Sequence, residues 1–215
     1  MALTASREYF RPGSTEPVRV VVLASGTGSL LQSLIAAAVD DYPARIVAVG
    51  VDRDCAAAGH AEDAGIPAYR VGLRDHPDRA AWDRALTKAT DAHQPDLIVS
   101  AGFMKILGPE FLDRFGGRII NTHPALLPSF PGAHAVADAL AYGVKITGST
   151  VHLVDSGVDT GPVLAQEPVP VLESDDEASL HERIKTVERR LLAEVLAAVA
   201  TRGVISDGRK AVIPK

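Results

Sequence analysis

Between residues 18 and 115 the chain runs four times from a short apolar stretch, through a polar turn, into a segment of helical spacing. The first unit is the clearest: V-R-V-V-V-L-A (18–24), then S-G-T-G-S, then L-L-Q-S-L-I-A-A-A-V (30–39). Further apolar stretches cover 45–51, 66–71, 96–102 and 118–122, and helical patterns fall near 54–64, 78–93 and 108–115. Strands buried on both faces read as continuous apolar runs. Their alternation with helices predicts a mostly parallel sheet covered on both sides. Ligands in such sheets bind beyond the carboxyl ends of the strands.

After residue 143 the texture changes. K-I-T-G-S-T-V-H-L-V (145–154) and G-P-V-L-A-Q-E-P-V-P-V (161–171) are strand-like and separated by the turn D-S-G-V-D-T, which predicts an antiparallel extension of the sheet. A long helix is expected over about 176–202. The fold class is α/β: a Rossmann-like, mostly parallel central sheet with helices on both faces and an antiparallel extension near the C-terminus. Residues 1–17, rich in Ser, Thr, Glu and Pro, read as a disordered tail, and 18–215 as one domain.

Composition narrows the function. Twenty-two basic and 27 acidic side chains leave a formal charge of −5, so no basic field points to nucleic acid, and an anionic ligand must be gripped locally. The single cysteine, Cys55, excludes an internal disulfide and offers no metal-ligand spacing; it reads as a packed residue. No apolar run approaches the length of a membrane span, and the N-terminus lacks the apolar region of a secretory signal, so the expected setting is cytoplasmic, with no membrane partner.

The chemistry concentrates where the fifth apolar stretch stops, at I-I-N-T-H-P-A-L-L-P-S-F-P-G (119–132). Residues i and i+2 of an extended segment face the same side. Asn121 and His123 can therefore reach one point beyond the strand, and Pro124, Pro128 and Pro131 stiffen the loop that leaves it. An imidazole there can serve as general acid or base near neutral pH. Of seven histidines, His60, His76, His93 and His181 lie in polar segments and read as surface residues; His134 and His152 read as either support for the site or packing. Asp159 is either a turn carboxylate or the partner that orients His123. S-G-T-G-S between strand and helix suits a phosphate, because glycines expose backbone N–H groups at a helix N-terminus. It is also compatible with an ordinary tight turn.

N-T-H-P-A-L-L-P-S-F-P-G, together with S-G-T-G-S, A-G-F-M-K-I-L and D-S-G-V-D-T-G-P-V, resembles the formyltetrahydrofolate-dependent formyltransferase family from Val18 to about residue 200. The resemblance implies that the amine of glycinamide ribonucleotide attacks the formyl carbon of 10-formyltetrahydrofolate, a step of de novo purine biosynthesis that requires no metal. It implies catalytic roles for Asn121 and His123, donating to the developing oxyanion, and for Asp159, supporting protonated His123. It further implies that Gly28, Ser29 and the N–H of Leu30 hold the phosphate with Lys185 nearby, and that Glu188 holds the amine. Met104, Lys105, Ile106, Leu107, Asn121, Asp155 and Asp159 would line the folate site, with Arg79 near it. The chain departs from the family at two points: Leu30 stands where asparagine is usual, and Lys105 where arginine is usual.

Two other activities of the family compete. Formyltetrahydrofolate hydrolases share the Asn, His and Asp but usually carry an additional N-terminal domain, whereas only 17 residues precede Val18. Methionyl-tRNA formyltransferase adds a C-terminal domain for tRNA, which fits poorly with the acidic balance. Both small-molecule substrates are expected to act on a monomer or homodimer.

Overall fold

The computed structural model describes residues 7–13 and 16–215. In chain order the elements are β1 (Arg7–Phe10), β2 (Val18–Ala24), α1 (Ser29–Ala37), β3 (Ala44–Val51), α2 (Ala56–Asp63), β4 (Ala68–Arg70), α3 (Arg79–Asp91), β5 (Leu97–Ser100), α4 (Pro109–Phe115), β6 (Ile119–His123), α5 (Ala135–Tyr142), β7 (Ile146–Leu153), β8 (Val163–Pro170), α6 (Glu177–Arg202), β9 (Val204–Ser206) and β10 (Ala211–Val212). The main sheet has seven strands in the order β4-β3-β2-β5-β6-β7-β8. Pairing is parallel from β4 to β6, and β7 and β8 continue it antiparallel, which is the extension expected from the sequence.

Side-chain alternation along the central strands divides the core into two layers. Val20, Val22 and Ala24 of β2 point to one side, with Leu97 and Val99 of β5, and meet Leu31 and Leu34 of α1 and Leu192, Val195 and Leu196 of α6. Val21 and Leu23 point to the other, with Ile98, and meet Trp82 and Leu86 of α3 and Phe111 and Phe115 of α4. A period-2 sequence with both sides apolar needs a layer of helices on each face. α6 is started by a capping box in which Asp176 accepts from the Ser179 N–H at 2.8 Å and the Ser179 hydroxyl bonds back to the Asp176 N–H at 3.0 Å.

Three features lie outside the sequence expectation. Arg7–Phe10, within the segment expected to be a disordered tail, forms β1 and pairs antiparallel with β9. Tyr9 and Phe10 supply apolar surface that packs on the core, and β9 offers an open edge; residues 1–6 and 14–15 lie outside the described residues. β10 adds to the same small sheet. α5 was also not anticipated, because its eight residues follow a proline-rich loop and are too few to display a helical period. Among the described residues, no helix is long and apolar enough to cross a membrane.

From β2 the chain builds outward through β3 and β4, then crosses back to place β5 on the other side of β2. The carboxyl ends of β2 and β5 therefore diverge at a switch point, where loops leave a crevice. The loop after β5 is tied down by Asp83 of α3, 2% exposed. Its carboxylate accepts from the N–H of Gly108 at 3.0 Å and of Glu110 at 2.9 Å, supplying the N-terminal cap that Gly108 has no side chain to provide for α4.

Asp83→Ala leaves both amides without an acceptor at a buried helix start and should cost about 2–3 kcal/mol. Urea unfolding should show the midpoint lowered with the slope unchanged; an unaltered midpoint would remove Asp83 from this role.

Candidate functional site

A cleft of about 640 Å³ opens at the carboxyl ends of β2, β5 and β6. Asn121 and His123 line it from one side of β6, while Thr122, which also borders it, faces α6 and donates to Glu188 Oε1 at 2.8 Å. The antiparallel register places His152 of β7 opposite Asn121. His152 Nδ1–H donates to the Leu153 carbonyl at 2.9 Å, and burial lowers its pKa, which keeps the ring neutral. Its Nε2 can then only accept, and it takes a hydrogen from Asn121 Nδ2 at 3.0 Å. This fixes the way round of the Asn121 amide: the NH₂ end sits at the site and its second hydrogen remains for the cleft.

His123, 4% exposed, is held through both nitrogens. Nε2–H donates to the Phe130 carbonyl at 2.7 Å, and Nδ1 stands 3.3 Å from Asp159 Oδ2. The same carboxylate oxygen accepts from the Gly132 N–H at 2.8 Å. The proline-bearing loop thus grips the imidazole with one carbonyl and the carboxylate with one amide. Phe130 and Asp159 both have φ of 54°, a conformation that non-glycine residues seldom adopt. Such strain costs about 1–3 kcal/mol per residue and gathers at functional sites. The turn role considered for Asp159 belongs instead to Asp155, which accepts from the Gly157 N–H at 3.0 Å and the Thr160 hydroxyl at 2.7 Å.

On the β2 side, Gly28 precedes α1 with φ of 72°, and a Cβ there would lie 2.9 Å from Ala57 Cα. Glycine is required by the approach of α2 as well as by the turn. Ser29 and Leu30 follow as the first residues of α1, where backbone N–H groups lack partners within the helix. His60 is not the free surface residue expected from sequence: Nε2–H donates to the Thr27 carbonyl at 3.1 Å and Nδ1 accepts from Gln32 at 3.3 Å, bracing the glycine loop. His76 and His93 are half-buried, and His93 stacks on Tyr69 with ring centres 5.3 Å apart. His134 is exposed at the start of α5 and does not line the cleft.

α6 presents His181, Lys185 and Glu188 to the cleft, spaced i, i+4 and i+7 on one helical face. His181 was expected at the surface, yet the same spacing rule that aligns Lys185 with Glu188 includes it. Burial, reinforced by Lys185, lowers its pKa. Glu188 is 4% exposed, and burial raises its pKa despite the Thr122 hydroxyl.

The third wall is the segment after β5. Met104 and Ile106 are 63% and 58% exposed, and with Val158 they form an apolar rim, with Leu107 buried beneath. The Lys105 ammonium lies 2.7 Å from Asp52 Oδ2 and is committed to it. Arg79, expected near the folate, does not itself border the cleft. Its guanidinium donates to the Ile106 carbonyl and lies over the Trp82 ring at 5.4 Å, so it acts from behind that wall. Every other residue expected at the site borders the cleft.

The formyl transferase family model matches residues 18–196. The Mycobacterium tuberculosis (strain H37Rv) protein named phosphoribosylglycinamide formyltransferase is 67% identical over 205 residues, covering 95% of each chain. The crystal structure of glycinamide ribonucleotide transformylase 1 from Symbiobacterium toebii superposes with a TM-score of 0.91 at 37% identity, covering 94% of this chain and 96% of that one. The Homo sapiens trifunctional purine biosynthetic protein adenosine-3 is 39% identical over 185 residues, which is 85% of this chain and 18% of that protein.

Burial of Glu188 has a consequence for stability. A carboxyl raised in the folded state contributes stability that is complete below the unfolded value, about 4.3, and lost as pH rises through the folded one. Glu188→Gln keeps an acceptor for Thr122 and removes the buried charge. Its melting temperature should exceed the parent's at pH 8 and converge with it near pH 4; a lower value at pH 8 would mean the charge is stabilising in the free protein.

Proposed function

The chain belongs to the formyl transferase family, and we propose that it transfers the formyl group of 10-formyltetrahydrofolate to the amine of glycinamide ribonucleotide in purine biosynthesis. The observation that carries this reading is the convergence of Asn121, His123 and Asp159 in one cleft between a glycine loop and an apolar wall. The exposed Met104 and Ile106 suit a flat heteroaromatic ring, and the neighbouring backbone offers it polar partners. The folate co-substrate supplies the activated formyl group. The ribonucleotide phosphate fits the N–H groups of Gly28, Ser29 and Leu30, with Lys185 alongside. Glu188 provides the carboxylate for the substrate amine. A cytoplasmic location accords with this chemistry.

The chain's own residues act on one oxygen. Asn121 donates its free amide hydrogen to the carbonyl oxygen as negative charge develops there. With Nε2–H held by Phe130, a second proton on His123 must sit at Nδ1, which faces Asp159 Oδ2 at 3.3 Å. Nδ1 is thus the atom that holds and delivers a proton inside the cleft. Leu30 can offer only its N–H, so the phosphate is held there without the side chain usual in the family.

The second reading, hydrolysis of formyl-folate by water, shares the same three residues, so the assay must separate the acceptors. Turnover of 10-formyltetrahydrofolate should require added glycinamide ribonucleotide and yield its formylated product in equal amount. Comparable turnover with water alone would sink the transferase reading. His123→Ala and Asn121→Ala should each lower kcat by about 100-fold or more, the usual loss for an oxyanion donor, with both substrates still binding by calorimetry.

A further inference from the structure

We propose that Asp52 is a positioning residue for both substrates: from behind the cleft wall it holds the glycine loop after β2 and the segment after β5 at one fixed spacing. The inference rests on the assignment above of the ribonucleotide to the first and the folate to the second.

Asp52 follows the last residue of β3, so it stands at the carboxyl end of the strand next to β2, which is itself next to β5. Its side chain is 1% exposed and does not border the cleft. Lys105 of the folate wall places its ammonium 2.7 Å from Asp52 Oδ2, and Arg53 adds contacts at 2.8 Å and 3.2 Å. The Ser25 hydroxyl, at the start of the glycine loop, is close enough to the same carboxylate to help hold its pKa low. Ser25 Oγ in turn accepts from the Met104 N–H at 2.8 Å. The Asp52–Lys105 ion pair and the Met104–Ser25 hydrogen bond together join three adjacent strand ends, on both sides of the switch point. Burial pushes its pKa up, but the donors from Arg53, Lys105 and Ser25 outweigh that and hold it well below the usual carboxylate range. The network is therefore ionised at any pH at which the enzyme would work.

A buried charge with several donors is demanding in geometry, because each donor must stay in place to offset desolvation. That demand transmits position. Moving Asp52 disturbs the Lys105 segment, and the neighbouring Met104 N–H carries that shift to Ser25 and the glycine loop. Arg53 cannot substitute as a link, since its side chain is 53% exposed and touches neither subsite. The reacting groups on β6 lie outside the network, so its loss should affect binding more than the chemical step.

Asp52→Asn keeps the shape and removes the charge. The KM values for glycinamide ribonucleotide and for 10-formyltetrahydrofolate should both rise about tenfold, a cost in keeping with slight misplacement of binding groups, while kcat falls far less. Lys105→Met should raise both KM values as well, although Lys105 belongs to the folate wall, and Lys105→Arg should recover most of that loss. The double variant Asp52→Asn/Lys105→Met should be little worse than either single one, because both break the same link. Should Asp52→Asn fail to fold, the Lys105 pair carries the test alone. Unchanged KM values with a lowered melting temperature would make Asp52 a purely structural ion, and a rise confined to the folate would remove the link to the glycine loop. Absence of ribonucleotide-dependent turnover in the parent protein would instead overturn the functional reading, and is seen before any variant is made.

Discussion

The central strands are buried on both faces, and the rest of the molecule follows from that. Residues 20–24 of β2 are all fully buried, so the strand cannot carry working polar groups along its length. Polar chemistry is confined to the strand ends, where the ladder stops and backbone groups become available. The reversal in the order of strand addition between β2 and β5 opens a crevice at those ends. β6 then delivers Asn121 and His123 into it at their natural two-residue spacing.

Placing an amide and an imidazole there is not sufficient; each must be held in one orientation. The protein does this with groups of fixed hydrogen-bonding sense. The Nε2 of neutral His152, which can only accept once Nδ1 carries the proton, turns the Asn121 amide, and a backbone carbonyl that can only accept fixes the proton on His123 Nε2. Neither choice depends on a ligand. The site is set before substrate arrives, as transition-state stabilisation by oriented dipoles requires. The strained φ values at Phe130 and Asp159 belong to the same arrangement, since they bring a carbonyl and a carboxylate to opposite nitrogens of one ring.

Much of this was legible in the sequence, for reasons that differ by residue. The sheet was legible because apolar strand runs and helical spacing are local signals. Asn121 and His123 were legible because i and i+2 share a side regardless of the rest of the fold. The pairing of His123 with Asp159 was not derivable locally, because 36 residues separate them and their approach depends on how β7 and β8 fold back; the family resemblance supplied it. The role of His152 depends on strand register, which no short stretch specifies. Asp52 and Ser25 are separate polar residues in sequence and become a network only once β3, β2 and β5 lie side by side. His181 is a different case, since its helical spacing to Lys185 and Glu188 was readable and only its polar surroundings suggested otherwise. Arg79 is set near the folate by resemblance, and its guanidinium supports the Ile106 carbonyl from behind the wall.

Charge raises a last point. The chain is acidic overall, at −5, yet the ribonucleotide phosphate is an anion. Net charge therefore supplies no long-range attraction for it, and beyond roughly 8–10 Å such attraction would be screened in any case. Affinity on the proposed reading has to come from contacts made at short range, for which backbone N–H groups at the start of α1 and the Lys185 ammonium stand at the cleft. Partly buried contacts of this kind respond weakly to salt, in contrast to a surface that steers its ligand by field. The same logic explains how one cleft can hold carboxylates and cations without neutralising its own groups. Asp52 is committed to Lys105 and Arg53 behind the wall, whereas Glu188, at the cleft, accepts from the Thr122 hydroxyl and has no ion pair within 4 Å among the described residues, which leaves it able to meet the amine of the proposed substrate.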